Sequence, residues 1–334
     1  MTGPRRRRLD VELVRRGLAR SRTEAADLVG DGAVLVRGSR AAKASTQVEV
    51  AAAIVVAPVQ PHEGPAGSGR RWASRGAHKL LGALEAFPDV EVAGRTALDA
   101  GASTGGFCDV LLDRGVARLL AVDVGYGQLA WPVRNDERVV VLDRTNVRSL
   151  VPDDVRRALG ELPSLVVADL SFISLRLVLP VLAACSAAGA DHLLMVKPQF
   201  EVGRERLGAG GVVRDVEARV RAVLDVARAA GDGGLGVVGC AASPLPGPSG
   251  NVEYFLRLRS PGDAGSGPGP AVDDLDGLVR CAVAAGPTGA GVDPDVDPGV
   301  DPGVDPGVDP GVDPGVATGR APDGPTTTTR RRRP

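Results

Sequence analysis

Of the 40 basic residues in the chain, only Lys43, Lys79 and Lys197 are lysines; the rest are arginines. Arginine stays protonated in proteins, whereas a lysine can be shifted and can lose its proton. Where arginine is the default cation, a retained lysine marks chemistry that arginine does not perform. That nominates Lys79 and Lys197, while Lys43 reads equally well as a solvated or a phosphate-facing charge. Three acids have an equally suggestive placement. Asp99, Asp123 and Asp169 each end an apolar run of strand character, and Lys197 directly follows another. Glu253 lies near the start of the last such run.

The first of these runs leads into a glycine-rich turn, Leu98-Asp99-Ala100-Gly101-Ala102-Ser103-Thr104-Gly105-Gly106-Phe107. Glycines there let the backbone approach a ligand closely. Asp123 ends the next strand, where a carboxylate can hydrogen-bond a ribose hydroxyl. An acid at the mouth of the turn suits a cationic ligand better than a pyrophosphate. S-adenosylmethionine, with a sulfonium and an amino group, meets both demands. Asp99, Gly101, Ser103, Thr104, Gly105 and Asp123 are its expected contacts. Asp143, at the end of the third strand, is either an adenine contact or a turn cap.

Strands are expected at Ala97–Asp99, Leu119–Asp123, Val139–Leu142, Leu165–Asp169, Leu193–Val196, Gly236–Cys240 and Val252–Leu258. Helices are expected at Arg75–Glu85, Gly106–Arg114, Leu175–Ala187 and Asp215–Ala230, with a weak one at Asp273–Ala285. The alternation predicts an α/β fold with an open, mostly parallel Rossmann-like sheet. Ligands of such sheets bind outside the carboxyl ends of the strands. The helix carrying Lys79 runs antiparallel to the strand after it, so its start meets the same edge. An antiparallel last strand would bring Glu253 there too. Lys79, Asp169, Lys197 and Glu253 are therefore expected to converge.

Gly101-Ala102-Ser103-Thr104-Gly105 also matches the GxSxG elbow of serine hydrolases. His192, however, falls at the start of its strand and so at the opposite edge of the sheet. His62 and His78 both precede Ser103. Chain order and edge geometry argue against a triad.

The chain of 334 residues has 41 acidic residues and a formal charge of −1. Residues 261–334 hold 12 Asp and 6 Arg, so the basic excess lies toward the N-terminus. There, residues 9–50 read as a small unit of two helices and short strands threaded with arginine. Ser21-Arg22-Thr23-Glu24 is a capping box for the second helix. Such a unit is either a binder of an anionic partner such as nucleic acid or a solvated arm. No apolar run reaches the roughly 20 residues of a membrane span, and no signal core follows the N-terminal arginines. The four cysteines include no CxxC pair, so neither a zinc site nor a disulfide framework is expected, and the compartment reads as reducing. A Pro- and Gly-rich linker follows the small unit. After Val296 a Val-Asp-Pro-Gly repeat reads as a disordered tail.

Several long blocks carry a specific resemblance: SRGAHKL (Ser74–Leu80), LDAGASTGGF (Leu98–Phe107), DVGYGQLAW (Asp123–Trp131), ADLSFISL (Ala168–Leu175), VKPQFEVG (Val196–Gly203) and SPLPGPSGNVEYF (Ser243–Phe255). In these the chain resembles the TlyA family of ribosomal RNA 2′-O-methyltransferases, also named haemolysins, within the FtsJ-like group. Residues 9–50 resemble the RNA-binding domain named for small-subunit ribosomal protein S-four.

The resemblance implies a class I methyltransferase sheet with a small α+β RNA-binding domain. It divides the chain into that domain at 1–60, a linker at 61–73, the methyltransferase domain at 74–286 and the tail at 287–334. Its Lys-Asp-Lys-Glu tetrad falls on Lys79, Asp169, Lys197 and Glu253. It implies S-adenosylmethionine as cofactor, no metal, and cytidine ribose in 16S and 23S ribosomal RNA, within both subunits, as substrate. Contacts to RNA are expected from Arg6, Arg7, Arg15, Arg16, Arg20, Arg22, Lys43, Arg71 and Trp72, the last either stacking on a base or packing between domains. The expected location is cytoplasmic, without membrane association; no oligomeric state is implied. The competing classes are a non-catalytic RNA-binding assembly factor and a membrane-active haemolysin.

Overall fold

The structure is a computed structural model. It describes residues 6–286 except 20, 21, 31, 42, 57–61, 64–70, 204, 206, 209, 210, 248, 249 and 263–270. The expected tail, most of the linker and the Ser21 cap lie outside the described residues.

The small N-terminal unit contains β1 (Arg6–Arg8), α1 (Leu9–Arg15), α2 (Arg22–Gly30), β2 (Val34–Val36), β3 (Ser39–Arg40), β4 (Gln47–Glu49) and β5 (Ile54–Val56). Leu9 and Leu13 of α1 and Ala25 and Val29 of α2 close its core against Val34, Val48 and Ile54. Two strands exceed expectation. The arginine run of β1 pairs antiparallel with β4, Arg8 opposite Gln47, so it is part of the fold and not only an arm. β5 pairs with β2. Two short paired strands, β6 (His62–Glu63) and β7 (Arg71–Trp72), follow.

The rest alternates as α3 (Gly76–Ala86), β8 (Thr96–Ala100), α4 (Gly106–Asp113), β9 (Arg118–Val122), α5 (Trp131–Arg134), β10 (Val139–Leu142), α6 (Pro152–Leu159) and β11 (Leu165–Ala168). It continues with α7 (Leu179–Ala184), β12 (Asp191–Val196), α8 (Pro198–Glu201), α9 (Val216–Asp232), β13 (Gly236–Ala242), β14 (Tyr254–Arg259) and α10 (Leu275–Ala285). The expected helix over 175–187 is split. Pro180 sits at the start of α7, so a single 3-10 turn at Leu175–Leu177 precedes it.

Seven strands form one sheet in the order β10-β9-β8-β11-β12-β14-β13. Only β14 runs antiparallel to the other six strands. The chain order reverses between β8 and β11, the place where open α/β sheets bind ligands. Side chains alternate between the two faces of each strand. Leu98, Ala100, Val166, Leu194 and Tyr254 pack on one face beneath α6, α7, α9 and α10. Ala97, Val167, Met195 and Phe255 pack on the other against α3 and α4. Those two helices approach closely because α4 begins at Gly106, where a Cβ would stand 2.9 Å from the backbone nitrogen of Ala77.

Candidate active site

The period of two fixes which face each chemical group takes. Asp169 continues Leu165 and Val167, Lys197 continues Leu193 and Met195, and Glu253 precedes Phe255 by two. All three therefore emerge on the α3–α4 face, the first two at the carboxyl ends of parallel strands. Glu253 reaches the same edge because β14 runs the other way. Lys79, in the first turn of α3, meets them from above the sheet.

Lys79 Nζ lies 2.6 Å from Glu253 Oε2 and 3.7 Å from Asp169 Oδ2. Lys197 Nζ lies 2.6 Å from Asp169 Oδ1 and donates to Ser171 Oγ at 3.0 Å. Two ammonium groups thus alternate with two carboxylates in a chain Lys197–Asp169–Lys79–Glu253. Lys79, Lys197 and Glu253 are buried. Burial raises the carboxyl of Asp169, but the two lysines outweigh it and hold the group down to about 2. Pairing of this kind is what allows three buried charges and a half-buried one to be held together.

A cavity opens beside this chain. It is lined by Ser74, Arg75, Gly76, Lys79, Gly101, Ala102, Ser103, Thr104, Gly106, Phe107, Asp169, Ser171 and Lys197. The glycine-rich turn forms one wall. Gly101 has φ +91°, and a Cβ there would sit 2.9 Å from the backbone oxygen of Asp169. Ser103 is also left-handed, at φ 47°. Its strained amide is held by Asp123, whose Oδ2 accepts from Ser103 N at 2.9 Å and whose Oδ1 accepts from Gly125 N at 2.6 Å.

Not every expected ligand contact lines the cavity. Asp99 is fully buried beneath the turn, where the Cys108 thiol donates to its Oδ2 at 3.0 Å. Burial, together with the charges of Asp169 and Asp123, pushes the Asp99 carboxyl up to about 7, although the Cys108 bond opposes it. Its Oδ1 accepts no hydrogen bond. Gly105 is the cap residue before α4, behind Gly106. Asp143 accepts from Arg134 Nη1 at 2.9 Å and Gly127 N at 3.1 Å. It therefore ties the loop after β9, as in the turn-cap alternative. Asp123, whose two oxygens hold the turn's amides, does not line the cavity either; a sealed carboxylate beneath the turn and an acid at the end of the second strand suit a cationic ligand bearing a ribose.

Other expected residues fall elsewhere. Trp72 is 3% exposed and packs in the α3–α4 core, so its ring offers no free face for a base. Arg16 is tied to Glu12 and to the carbonyls of Val50 and Ala52. Arg15 pairs with the same Glu12, and Arg22 with Asp10. Arg6 and Lys43 are exposed and Arg7 is half-buried. Arg20 and the side chain of Arg71 lie outside the described residues. His192 is fully buried at the far edge, bonded through Nε2 to Ser260 Oγ at 2.9 Å and lowered to about 4 by burial. It cannot serve Ser103.

Ser74, Arg75, Phe107 and Ser171 line the cavity without having been singled out. All four lie in or beside the motif blocks, but a serine or phenylalanine next to a motif carries no charge or spacing signal. Among the described residues no helix is long and apolar enough to cross a membrane, and no group of acids, histidines and cysteines could hold a metal.

The sequence matches the FtsJ-like methyltransferase family over residues 72–260 and the S4 domain over residues 7–54. The 16S/23S rRNA (cytidine-2'-O)-methyltransferase TlyA of Mycobacterium tuberculosis is 56% identical over 85% of this chain and 99% of its own length. Hemolysin A of Brachyspira hyodysenteriae is 32% identical over 75% of this chain and 99% of its own length. A solved hemolysin-named structure from Streptococcus thermophilus superposes with a TM-score of 0.61 at 35% identity, covering 85% of this chain and 96% of that one. With a match that runs from the arginine-rich small unit through the sheet to its antiparallel closing strand, the chain belongs to the TlyA family of FtsJ-like methyltransferases.

Proposed function

We propose that the chain methylates the 2′-hydroxyl of a cytidine ribose in 16S and 23S ribosomal RNA within ribosomal subunits, using S-adenosylmethionine. The observation that carries this reading is the buried Lys197–Asp169–Lys79–Glu253 chain beside the Gly101 turn. The cofactor, when bound, supplies a methyl group on a positively charged sulfur. Gly101, Ser103 and Thr104 would hold it from the turn, Asp123 at the ribose, and Asp99 as a negative charge beneath.

The rest falls to the chain's own side chains. A ribose hydroxyl is a weak acid and must be oriented and relieved of its proton. Lys197 is the proton acceptor: at rest it is paired as an ammonium with Asp169, and its burial and the second cation Lys79 are what ease loss of that proton. Asp169 and Ser171 fix the direction of Lys197 Nζ. Lys79, locked by Glu253, keeps its charge and stabilises the developing alkoxide. Holding the hydroxyl in line with its target is itself a large part of the acceleration.

We assign residues 1–60 to RNA binding, with contacts from Arg6, Arg7, Arg22 and Lys43, residues 61–73 to a linker and 74–286 to catalysis, acting in the cytoplasm. The test is transfer of labelled methyl to separate small and large subunits lacking the modification, followed by mapping of 2′-O-methyl nucleosides. Label on both subunits, absent with Lys197→Ala, is the expected result. Label on one subunit restricts the substrate. No label with intact RNA binding overturns the enzymatic reading in favour of an assembly factor.

A further inference from the structure

The small domain holds an arrangement of charge that catalysis does not use. Asp10, the second residue of α1, is 3% exposed. Its carboxylate collects two guanidinium groups. Arg8 donates from Nε to Oδ1 at 3.1 Å and from Nη2 to Oδ2 at 2.9 Å. Arg22, the first residue of α2, donates to Oδ2 from Nε at 3.1 Å and from Nη2 at 2.9 Å. The Val11 amide completes the set at 2.8 Å from Oδ1. One negative charge therefore anchors two positive ones, and the cluster keeps a net charge of about +1.

The acid is sunk and the bases are presented. The Asp10 side chain is 5% exposed, against 42% for Arg8 and 61% for Arg22. Both forks bind through Nε and Nη2, so the Nη1 edge of each guanidinium lies outside the clamp. Two such edges, held near one carboxylate, offer the kind of donors that the oxygens of a phosphodiester accept. Burial opposes ionisation of Asp10, yet the two arginines hold its carboxyl below the ordinary range. The acid therefore stays charged at every pH at which RNA is bound. The apolar residues of α1 and α2 are spent in the domain's own core, which leaves the cluster without the apolar stripe that membrane-surface helices need.

We propose that Asp10 is a positioning residue that aligns Arg8 and Arg22 into a two-guanidinium receptor for a single backbone phosphate of RNA. The inference rests on the proposed RNA substrate and adds to it a defined phosphate site with its organising acid.

The test exploits an opposition of signs. Asp10→Asn makes the protein more positive, so a simple charge effect tightens RNA binding. Loss of alignment loosens it. Full-length protein is titrated with unmodified ribosomal subunits at several salt concentrations. Asp10→Asn is expected to weaken binding about tenfold and to lower the salt slope by about one. Arg22→Lys, which keeps charge but loses the fork, should do the same. Glu49→Gln, which removes an acid facing Arg6 and Arg37 outside the clamp, should bind as wild type or more tightly. Thermal melts of each variant show that it is folded, and affinities are compared per folded molecule. Wild-type affinity in Asp10→Asn or Arg22→Lys overturns the receptor while leaving the RNA reading intact. Failure of wild type itself to bind either subunit overturns both. Loss of binding to phosphatidylglycerol vesicles, with RNA binding unchanged, overturns it in favour of a membrane surface.

Discussion

Lys79 and Glu253 lie 174 positions apart in sequence and meet in a buried 2.6 Å ion pair. Removing one partner strands the other charge away from water, which costs about 3 kcal/mol or more. Glu253→Leu alone should therefore lower the melting temperature by roughly 6–10 °C. Adding Lys79→Met should restore most of that loss, because a buried pair is often replaceable by apolar groups. The double variant should still transfer no methyl. Differential scanning calorimetry beside a methyl-transfer assay separates the two effects. A double variant that regains turnover would remove both residues from the mechanism.

Lys197→Arg tests the proton acceptor. Arginine can keep the pairing with Asp169 but cannot give up its proton. Turnover should fall by at least about a hundredfold, the usual contribution of a general base. Affinity for S-adenosylmethionine, read by calorimetry, should change little. Retained turnover would move the proton to another group.

Asp99 sets a pH dependence of opposite sign to the paired acids. Its carboxyl titrates near 7 in the folded chain, against about 4 when free, so the folded state keeps this proton longer. Its contribution therefore costs stability progressively as pH rises from about 4 to about 7, and is level above that. Asp99→Asn should raise the melting temperature at pH 8 and change it little at pH 4. The same variant should bind the cationic cofactor more weakly at pH 8. Equal shifts in stability at both pH values would show that Asp99 is charged throughout.

Gly101→Ala should damage the turn directly. The position is left-handed, and a Cβ would stand 2.9 Å from the Asp169 carbonyl. The backbone conformation alone costs about 1–2 kcal/mol. The clash would also push Asp169, and with it Lys197, out of line. Turnover should fall further than stability, and cofactor affinity should fall with it. A crystal structure of the variant with the turn unmoved would contradict this.

The strands of the sheet and the edge on which chemistry collects were legible because the strands are short apolar runs, and β9, β10, β11 and β12 are each closed by a charged residue. Less was legible where one residue type hides another role. The arginine run at Arg5–Arg8 left a solvated arm and an RNA contact both open, and the pairing of Arg6–Arg8 with β4 is a tertiary effect that the run does not announce. The helix Pro152–Leu159 buries only Val155 and Leu159, too narrow a stripe to register, although Pro152 and Gly160 bracket it. Asp99 was expected to face the ligand. Its depth under the turn depends on Cys108, nine residues on, which no spacing rule links to it. Trp72 was open between stacking and packing, and only the closure of α3 and α4 over it decides the matter.

The placement of β14 has a consequence for the time at which the protein becomes competent. It inserts between β12 and β13, and residue 253 at its start supplies the counter-charge for Lys79. A chain emerging from the ribosome N-terminus first presents Lys79 long before Glu253 exists. All the strands of the small N-terminal unit, through β5 at Ile54–Val56, precede Lys79 in the chain and so are made before it. On the proposed assignment, each newly made molecule passes through a stage that has the RNA-binding unit but not the full tetrad. On the proposed roles that stage ends when β14 threads the sheet, so catalytic competence requires synthesis through residue 259.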